Sequence, residues 1–220
     1  MIGPNRIQIG LATGLLLAFT GVALAGGWAI ITLNEFPDYA VSGKPLNLTF
    51  SVRQHGVTLL PGLQPKIQAT TSSGLQAKAG VKPTSNRGEY TGSLTLPQPG
   101  EWKITISSGF NDNNVTLPAL KVVAAGTPAP AAFSPGTRGV RLFASKGCIG
   151  CHRHIEVNPE HATDAKFDLT GKRFPQDYLK KFLADPSIKP GVEMPNLKLK
   201  DDEIEALAAF INKLASKQAR

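Results

Sequence analysis

Two cysteines and a histidine lie within five consecutive residues of this chain. Cys148 and Cys151 are separated by Ile149 and Gly150, His152 follows directly, and no other cysteine occurs in the 220 residues. Cys-x-x-Cys-His is the spacing at which a polypeptide attaches a c-type haem. Thiols three residues apart on a helix can reach two vinyl groups on one side of the macrocycle, and the following histidine can ligate the iron. The motif therefore predicts one covalently bound haem c with His152 as an axial ligand.

Three other interpretations of the thiols are a strained local disulfide, a thioredoxin-like redox pair and half of a zinc site. A redox pair would require a surrounding pattern of parallel strands and helices, which the sequence lacks. A Cys2His2 zinc site could be built from Cys148, Cys151, His154 and His161. These four residues are closer together than the ligands of most such zinc sites, so haem attachment is favoured.

A haem iron held in this way needs a second axial ligand, and Met194 is the predicted one. The other methionine of the chain is Met1. Pro190 and Pro195 bracket Met194 and favour a loop, which can fold over the distal face of a haem. A thioether is a soft, neutral ligand, and His/Met ligation raises the reduction potential relative to ligation by two histidines.

Other roles for these residues are weaker. Met194 could be a core residue that fills a gap, but its place beside Pro195 and before a C-terminal helix argues against this. His161 is the main rival as distal ligand. His154 is too close to His152 along the chain to reach the opposite face of a haem.

Helical patterns flank these candidate ligands. Residues 201–215 begin with three acidic residues and continue with one apolar face, made by Ile204, Leu207, Ala208, Ile211 and Leu214. Residues 176–185 repeat the pattern with Tyr178, Leu179, Phe182 and Leu183, and Pro186 ends it. Short helices over so few residues cannot fill a core of their own, so a covalently held haem would supply the missing apolar volume.

From Gly139 to Leu214 the chain resembles a small mono-haem class I cytochrome c domain. The matching pieces are, in order, a helix over 139–147, the haem motif, Asp168-Leu169-Thr170-Gly171, the segment 178–186, Met194-Pro195 and the helix from Asp201. The resemblance implies an all-α domain that carries one electron on one haem. It departs at Phe167, where the family often has a proline whose carbonyl accepts the N–H of the proximal histidine. The acceptor for the N–H of His152 is therefore not assigned by the sequence.

The N-terminal region predicts export. From Ile7 to Leu33 the chain is apolar or small and carries no charge, with Arg6 before it and Glu35 and Asp38 after it. This order of charges places the N-terminus inside and the remainder outside the cytoplasmic membrane.

Two interpretations of this region stay open. Residues 1–25 are either a signal peptide cleaved after Ala25 or a retained transmembrane anchor within the apolar run to residue 33. The segment 28–33 is aromatic and β-branched and could open a strand, which favours cleavage. Both interpretations deliver the haem domain to the extracytoplasmic (periplasmic) side, where thioether attachment occurs.

Residues 27–123 predict a separate all-β domain. Apolar residues alternate with polar ones at Leu46, Leu48, Phe50 and Val52, and again at Trp102, Ile104 and Ile106. Residues 90–96 and 115–123 are further strand candidates, and about seven short strands separated by turn signals predict an immunoglobulin-like sandwich. The stretch 27–56 resembles the YtkA-like family of small extracytoplasmic β-sandwich domains. A Pro/Ala/Gly linker over 124–136 joins this domain to the cytochrome domain at 137–220.

The β domain has one histidine, His55, and no cysteine. A copper site needs several soft or imidazole ligands, so this domain cannot hold one alone. A turn position before Gly56 is the simplest role for His55. The domain is expected to be a docking module.

The formal net charge of +8 bears on partners. Nucleic acid does not suit an exported haem domain, and no small-molecule substrate is expected. Anionic lipid headgroups, or an acidic face on a redox protein, fit better. The basic residues expected near the haem edge are Lys146, Lys172, Arg173, Lys180 and Lys181.

Together these features predict an extracytoplasmic, membrane-associated electron-transfer protein rather than an enzyme. It would serve as a subunit or docking partner of a respiratory or photosynthetic complex. Two alternatives stay open: a haem-based sensor or ligand-binding protein with a labile distal bond, and an oxidase assembly factor in which the haem is accessory.

Overall fold

The computed structural model describes residues 27–161 and 165–213. The predicted signal peptide or anchor over 1–25 lies outside these ranges, and so does Leu214. The end of the apolar run, Ala29–Leu33, is a β-strand, so these five residues are not part of a membrane helix. Within the described ranges, no helix combines the length and the apolar character needed to cross a bilayer.

The N-terminal half of the described chain is a set of antiparallel strands with one parallel pair. The strands are β1 (Ala29–Leu33), β2 (Tyr39–Val41), β3 (Pro45–Gln54), β4 (Thr58–Leu59), β5 (Lys66–Thr70), β6 (Gln76–Ala79), β7 (Val81–Pro83), β8 (Glu89–Thr95), β9 (Gly100–Ser107), β10 (Asn114–Thr116) and β11 (Leu120–Val123). Among the described residues there are eleven strands rather than about seven. One reason is that Pro118 interrupts the predicted strand 115–123.

Two sheets form the sandwich that the alternating pattern predicts. One has the strand order β1-β3-β8-β7, with β4 paired to β3. The other has the order β2-β11-β9-β5-β6, with β10 paired to β9, and β2 lies parallel to β11. Apolar side chains of both sheets share one core, in which Phe50, Tyr90 and Trp102 are fully buried. The Trp102 indole N–H donates to the Gln98 carbonyl at 3.1 Å, so burial leaves no unpaired donor there.

Three α-helices follow the sandwich in the described ranges. They are α1 (Pro135–Ser145), α2 (Gln176–Ala184) and α3 (Asp201–Lys213). Helix α1 begins earlier than the predicted Gly139, because Pro135 fits its first turn and the Ser134 hydroxyl caps it by accepting from the Thr137 amide. Helix α3 buries the predicted face, including Ile204, Leu207 and Ile211. The three helices share a second apolar core, separate from that of the sandwich.

Helices α1 and α3 cross at Gly139. A Cβ atom added at this position would lie 2.2 Å from the Ala206 carbonyl oxygen and 2.5 Å from Cβ of Phe210. The Phe143 and Phe210 rings then meet edge to face, with centroids 5.5 Å apart. The absence of a side chain at Gly139 therefore permits the close approach of the two helices.

Arg141 on α1 joins the helical domain to the sandwich. Its guanidinium lies between the rings of Phe36 and Phe133, with its carbon 4.7 and 4.9 Å from the two ring centroids. It donates to the carbonyls of Ala119 at 2.8 Å and Pro37 at 3.0 Å. This buried arginine therefore satisfies backbone carbonyls at two places on the β domain.

A buried ion pair lies beside this contact. The Lys146 ammonium is 2.8 Å from a carboxylate oxygen of Glu203, with side chains only 5% and 6% exposed. The same ammonium donates to the Asn34 carbonyl of the β domain at 2.7 Å. The expectation that Lys146 belongs to a surface for an acidic partner is therefore wrong, because this side chain is committed to the interior.

We predict that Gly139→Ala lowers the free energy of unfolding of the helical domain by about 3 kcal/mol, because the new methyl group meets backbone atoms that cannot move aside. The measurement is urea unfolding followed by the far-UV circular dichroism signal of the helices. Gly136→Ala is the control, since its Cβ would meet nothing closer than 3.8 Å. Gly136→Ala should leave the free energy of unfolding unchanged or raise it by up to about 1 kcal/mol. Equal stability of the two variants would contradict the close crossing.

For the buried ion pair, Lys146→Met should lower stability by about 3–5 kcal/mol, since Glu203 would remain buried with its charge unpaired. Adding Glu203→Gln should recover part of this loss. Lys180→Met is the control, because Lys180 pairs with Glu205 on the surface, and it should cost less than about 1 kcal/mol. A Lys146→Met variant no less stable than Lys180→Met would show that the pair is not buried as described.

Candidate functional site

The cysteine motif lies in a tight turn directly after α1. Gly147, with φ of +80°, ends the helical path, and Cys148–Gly150 form one turn of 3-10 helix. The Cys148 carbonyl accepts from the backbone amides of Cys151 at 3.2 Å and His152 at 2.8 Å. The motif is therefore helical, as predicted, in the form of a 3-10 turn that places the two cysteines one turn apart.

The two sulfurs do not form a disulfide. Burial raises the pKa of the Cys148 thiol to about 12 and also raises that of Cys151. Among the described residues, no group of three or more His, Cys, Asp or Glu side chains could hold a metal ion. The zinc site proposed from Cys148, Cys151, His154 and His161 is therefore not assembled.

The His152 ring is oriented by one backbone carbonyl. Its Nδ1 lies 3.1 Å from the Phe167 carbonyl oxygen, to which it can donate. Nε2 is then left to act as a ligand. Burial lowers the pKa of His152, so the imidazole is neutral at pH 7. The acceptor that the sequence left unassigned is thus Phe167, at the position where the resembled family often has proline.

An ion pair fixes the segment that carries this carbonyl. Arg153 and Asp168 form a salt bridge, and the Leu169 amide donates to the Arg153 carbonyl at 2.9 Å. Hydrogen bonds from Thr170, and then from Arg153, hold the pKa of Asp168 at about 2. Asp168 is therefore ionised at neutral pH. Its pairing with Arg153 holds the Phe167 carbonyl next to His152.

Asn158 holds the other side of the motif loop, a role that sequence analysis missed. Its amide nitrogen donates to the carbonyls of His152 at 2.8 Å and Ile149 at 3.2 Å. Its amide oxygen accepts from the His154 backbone at 2.8 Å. An asparagine in a polar segment carries no sequence signal for this role, because its partners are set by how the loop closes.

Met194 lines the same apolar cleft as Cys148 and His152. The cleft encloses about 630 Å3 of empty space, including its solvent-open mouth. It is lined by Phe143, Cys148, His152, Leu169, Phe174, Tyr178, Leu179, Phe182, Leu183, Lys189, Met194, Leu207 and Ile211. The structure thus brings three of the four predicted site residues, Cys148, His152 and Met194, to one cleft.

The distal segment is a loop tied to the end of α2. Residues 192–200 have no regular secondary structure, as the neighbouring prolines predict. The Asn196 amide nitrogen donates to the Ala184 carbonyl at 3.2 Å, and its oxygen accepts from the Lys198 amide at 2.9 Å. These bonds, two residues beyond Met194, anchor the loop that presents its thioether.

The four apolar residues of α2 all line the cleft but differ in burial. Leu179 and Leu183 are buried in the helical core. Tyr178 and Phe182 stack at 6.1 Å with nearly parallel rings and line the cleft. The periodicity predicted that all four residues face the core, but only Leu179 and Leu183 are buried.

The rival histidines lie elsewhere. His154 is fully buried against Phe143 and Phe210, with its ring centroid 4.2 Å from that of Phe210. His161 donates its backbone amide to Asn158 and does not line the cleft described above. Neither side chain lines the cleft that His152 and Met194 share.

The β domain packs directly on the motif loop, which the sequence did not predict. A Cβ added to Gly147 would lie 2.4 Å from Cγ2 of Ile30, and one added to Gly150 would lie 2.7 Å from its Cγ1. A Cβ on Gly56 would lie 3.9 Å from Sγ of Cys151. Strand β1 and the β3–β4 turn therefore cover the Cys151 side of the motif.

Residues 136–215 match the family described as Cytochrome c. The helical domain is thus of the c-type cytochrome class, preceded by an all-β domain. The family implies a covalently bound haem c, and one such domain is consistent with one haem.

No curated protein matches the chain significantly. Solved structures with partial likeness include the Lin-41 filamin domain, with 11% identity over 42% of this chain and 91% of that one, and a TM-score of 0.34. Domains 4–9 of the surface layer protein SbsC share 18% identity over 46% of this chain and 15% of that one, with a TM-score of 0.35. The ZirS C-terminal domain shares 10% identity over 56% of this chain and 87% of that one, with a TM-score of 0.34. Scores this low support no inference about function.

The residues present fit a haem c. The cleft is mostly apolar, Nε2 of His152 is left available as a ligand, and Met194 lines the same space. A flat apolar macrocycle attached near Cys148 would fill the gap between the helices, which otherwise lack a complete core.

We predict that Cys148→Ala combined with Cys151→Ala abolishes haem staining on a denaturing gel, because thioether bonds survive denaturation and the chain has no other cysteine. The control is Ile155→Ala, an exposed side chain close to the motif, which should stain like the wild type. A stained band in the double variant would contradict attachment at these residues.

Proposed function

We propose that this protein is an extracytoplasmic, membrane-associated electron carrier with one haem c. In this proposal Cys148 and Cys151 form the thioether bonds, and His152 and Met194 are the axial ligands. It would act as a subunit or docking partner of a respiratory or photosynthetic electron-transfer complex, without a small-molecule substrate of its own.

The observation that carries the proposal is the shared cleft. His152 and Met194 come from segments on opposite sides of α2 in the sequence, yet both line the same apolar space together with Cys148. When bound, haem c supplies one-electron chemistry at its iron. The protein residues supply attachment, orientation and exclusion of water.

Each ligand is held by a contact made outside the cleft. The Phe167 carbonyl fixes the His152 tautomer, with Nδ1 as donor, and the Arg153–Asp168 pair keeps that carbonyl in place. The Asn196 bond to Ala184 fixes the loop of Met194. Restrained ligands suit electron transfer, because little rearrangement accompanies each change of charge.

The membrane and partner assignments rest on the sequence. The uncharged segment after Arg6 fits a signal or an anchor, and thioether attachment takes place outside the cytoplasm. Lys172, Arg173 and Lys181 are exposed and remain available for an acidic face of a redox partner. Lys180, by contrast, is paired with Glu205.

We predict that Met194→Ala lowers the reduction potential by on the order of 0.1 V and opens the iron to carbon monoxide or cyanide, while the haem stays attached. The physical reason is the loss of the only thioether among the residues lining the cleft. Potentiometric titration and ligand-binding spectra are the measurements. Met194→His should give a low-spin bis-histidine centre of lower potential.

Val192→Ala is the matched control, since it alters the same loop without removing a ligand. It should keep the wild-type spectrum and potential within experimental scatter. Rapid binding of carbon monoxide by the wild-type ferrous protein at neutral pH would favour the haem-based sensor over the electron carrier.

A further inference from the structure

One corner of the β domain is apolar and exposed. It consists of Trp28, which precedes β1, and the β3–β4 turn of His55, Gly56 and Val57; we name it the Trp28 corner. Trp28 is 40% exposed and Val57 is 54% exposed. The Trp28 and His55 rings are 5.8 Å apart, and the His55 amide donates to the Trp28 carbonyl at 3.0 Å. Backbone pairing therefore holds the exposed indole in place.

The uncharged N-terminal segment reaches the folded domain at this corner. Gly27, the first described residue, accepts at its carbonyl from the Asn111 amide at 2.7 Å, and the Ala29 amide donates to Asn113 at 3.1 Å. Because β1 begins at Ala29, the part of the uncharged run available for a membrane anchor is residues 7–26. About twenty apolar residues suffice to span a bilayer.

The same corner lies against the haem motif. Sγ of Cys151 and the Trp28 indole each lie 3.9 Å from the position that a Cβ on Gly56 would occupy. The sulfur and the indole are therefore at most twice that distance apart. Whatever surface the Trp28 corner contacts is also close to the Cys151 side of the motif.

We propose that the Trp28 corner rests on the lipid bilayer, so that the Cys151 side of the haem motif faces the membrane. The proposal rests on the membrane association proposed above and adds the orientation. After an anchor over 7–26, only Gly27 precedes Trp28, which leaves the corner at the depth of the headgroups. Trp is the side chain that favours this layer, because its ring is apolar and its N–H remains hydrated.

The occupant is a bilayer and not an acidic protein, because none of the four residues that form the corner is a lysine or an arginine. Its side chains are an indole, an imidazole and an isopropyl group, and amides of Asn111 and Asn113 lie beside it. Asp112, between these asparagines, is exposed and adds a carboxylate at the edge of the surface, which opposes an acidic partner. The exposed apolar side chains of Trp28 and Val57 match the interfacial layer of a membrane. An electron partner reached from this side would itself lie in or at the membrane.

The opposite end of the sandwich supplies a matched control. Strands β5 and β9 are antiparallel, with Lys66 opposite Ser107 and Thr70 opposite Lys103. The loop with Asn111 follows Ser107, so the β5–β6 turn after Thr70 lies at the other end. Leu75 in that turn is an apolar side chain with 37% exposure, which is less than that of Val57.

The test uses the full-length haem-loaded protein in phosphatidylcholine vesicles with Val57→Cys or Leu75→Cys as the single reactive thiol. Flotation first establishes whether the chain is held by the vesicles. Reaction with a sulfonated, membrane-impermeant maleimide is then timed. Val57→Cys should react at least about tenfold more slowly than Leu75→Cys, because a charged reagent is excluded from the interfacial layer. Exposure alone would give the opposite order.

A second measurement identifies what covers the corner. A neutral benzophenone maleimide coupled to Val57→Cys should photo-crosslink to phosphatidylcholine, and the same reagent on Leu75→Cys should not. Vesicle-bound protein with equal maleimide rates, or crosslinks to a second copy of the chain, would overturn the orientation and leave the electron-carrier proposal intact. Protein that does not float would refute the membrane association itself, with haem attachment unaffected.

Discussion

The contact between α1 and α3 at Gly139 is the constraint on which the helical domain depends. With no side chain at this crossing, the two helices approach until Phe143 and Phe210 pack edge to face. Helix α1 leads directly into the Cys148–Gly150 turn, and α3 contributes Leu207 and Ile211 to the wall of the cleft. The position of the proximal motif relative to the cleft therefore follows from one close helix–helix approach.

The second constraint is the way the β domain closes on the motif. Ile30 packs where any side chain at Gly147 or Gly150 would stand, and Arg141 and Lys146 reach carbonyls of the sandwich. Buried charges such as Lys146 and Glu203 are costly to separate once they are paired. The sandwich therefore acts as a wall for the motif loop.

Several details of the site depend on contacts between distant segments. Helical periodicity could not tell that Leu179 and Leu183 are buried while Tyr178 and Phe182 are not, because all four lie on one apolar side of α2 and line the cleft. Lys146 looked like a surface lysine because its partners, Asn34 and Glu203, are far from it in sequence. The end of the uncharged run was compatible with either a membrane anchor or a strand, and the pairing of β1 with β3 decides for the strand.

The sequence by itself determined the haem motif, the family resemblance of the helical domain, the candidate distal methionine and the alternation that builds a sandwich. These are local or periodic signals, carried by residue type and spacing. Only the tertiary structure decided that Phe167 accepts from His152, that Asn158 closes the motif loop and that β1 covers the Cys151 side. Each of these contacts joins residues through chain closure or domain packing. Such contacts leave no pattern in a single sequence, because many side chains at the same positions would be compatible with the same elements.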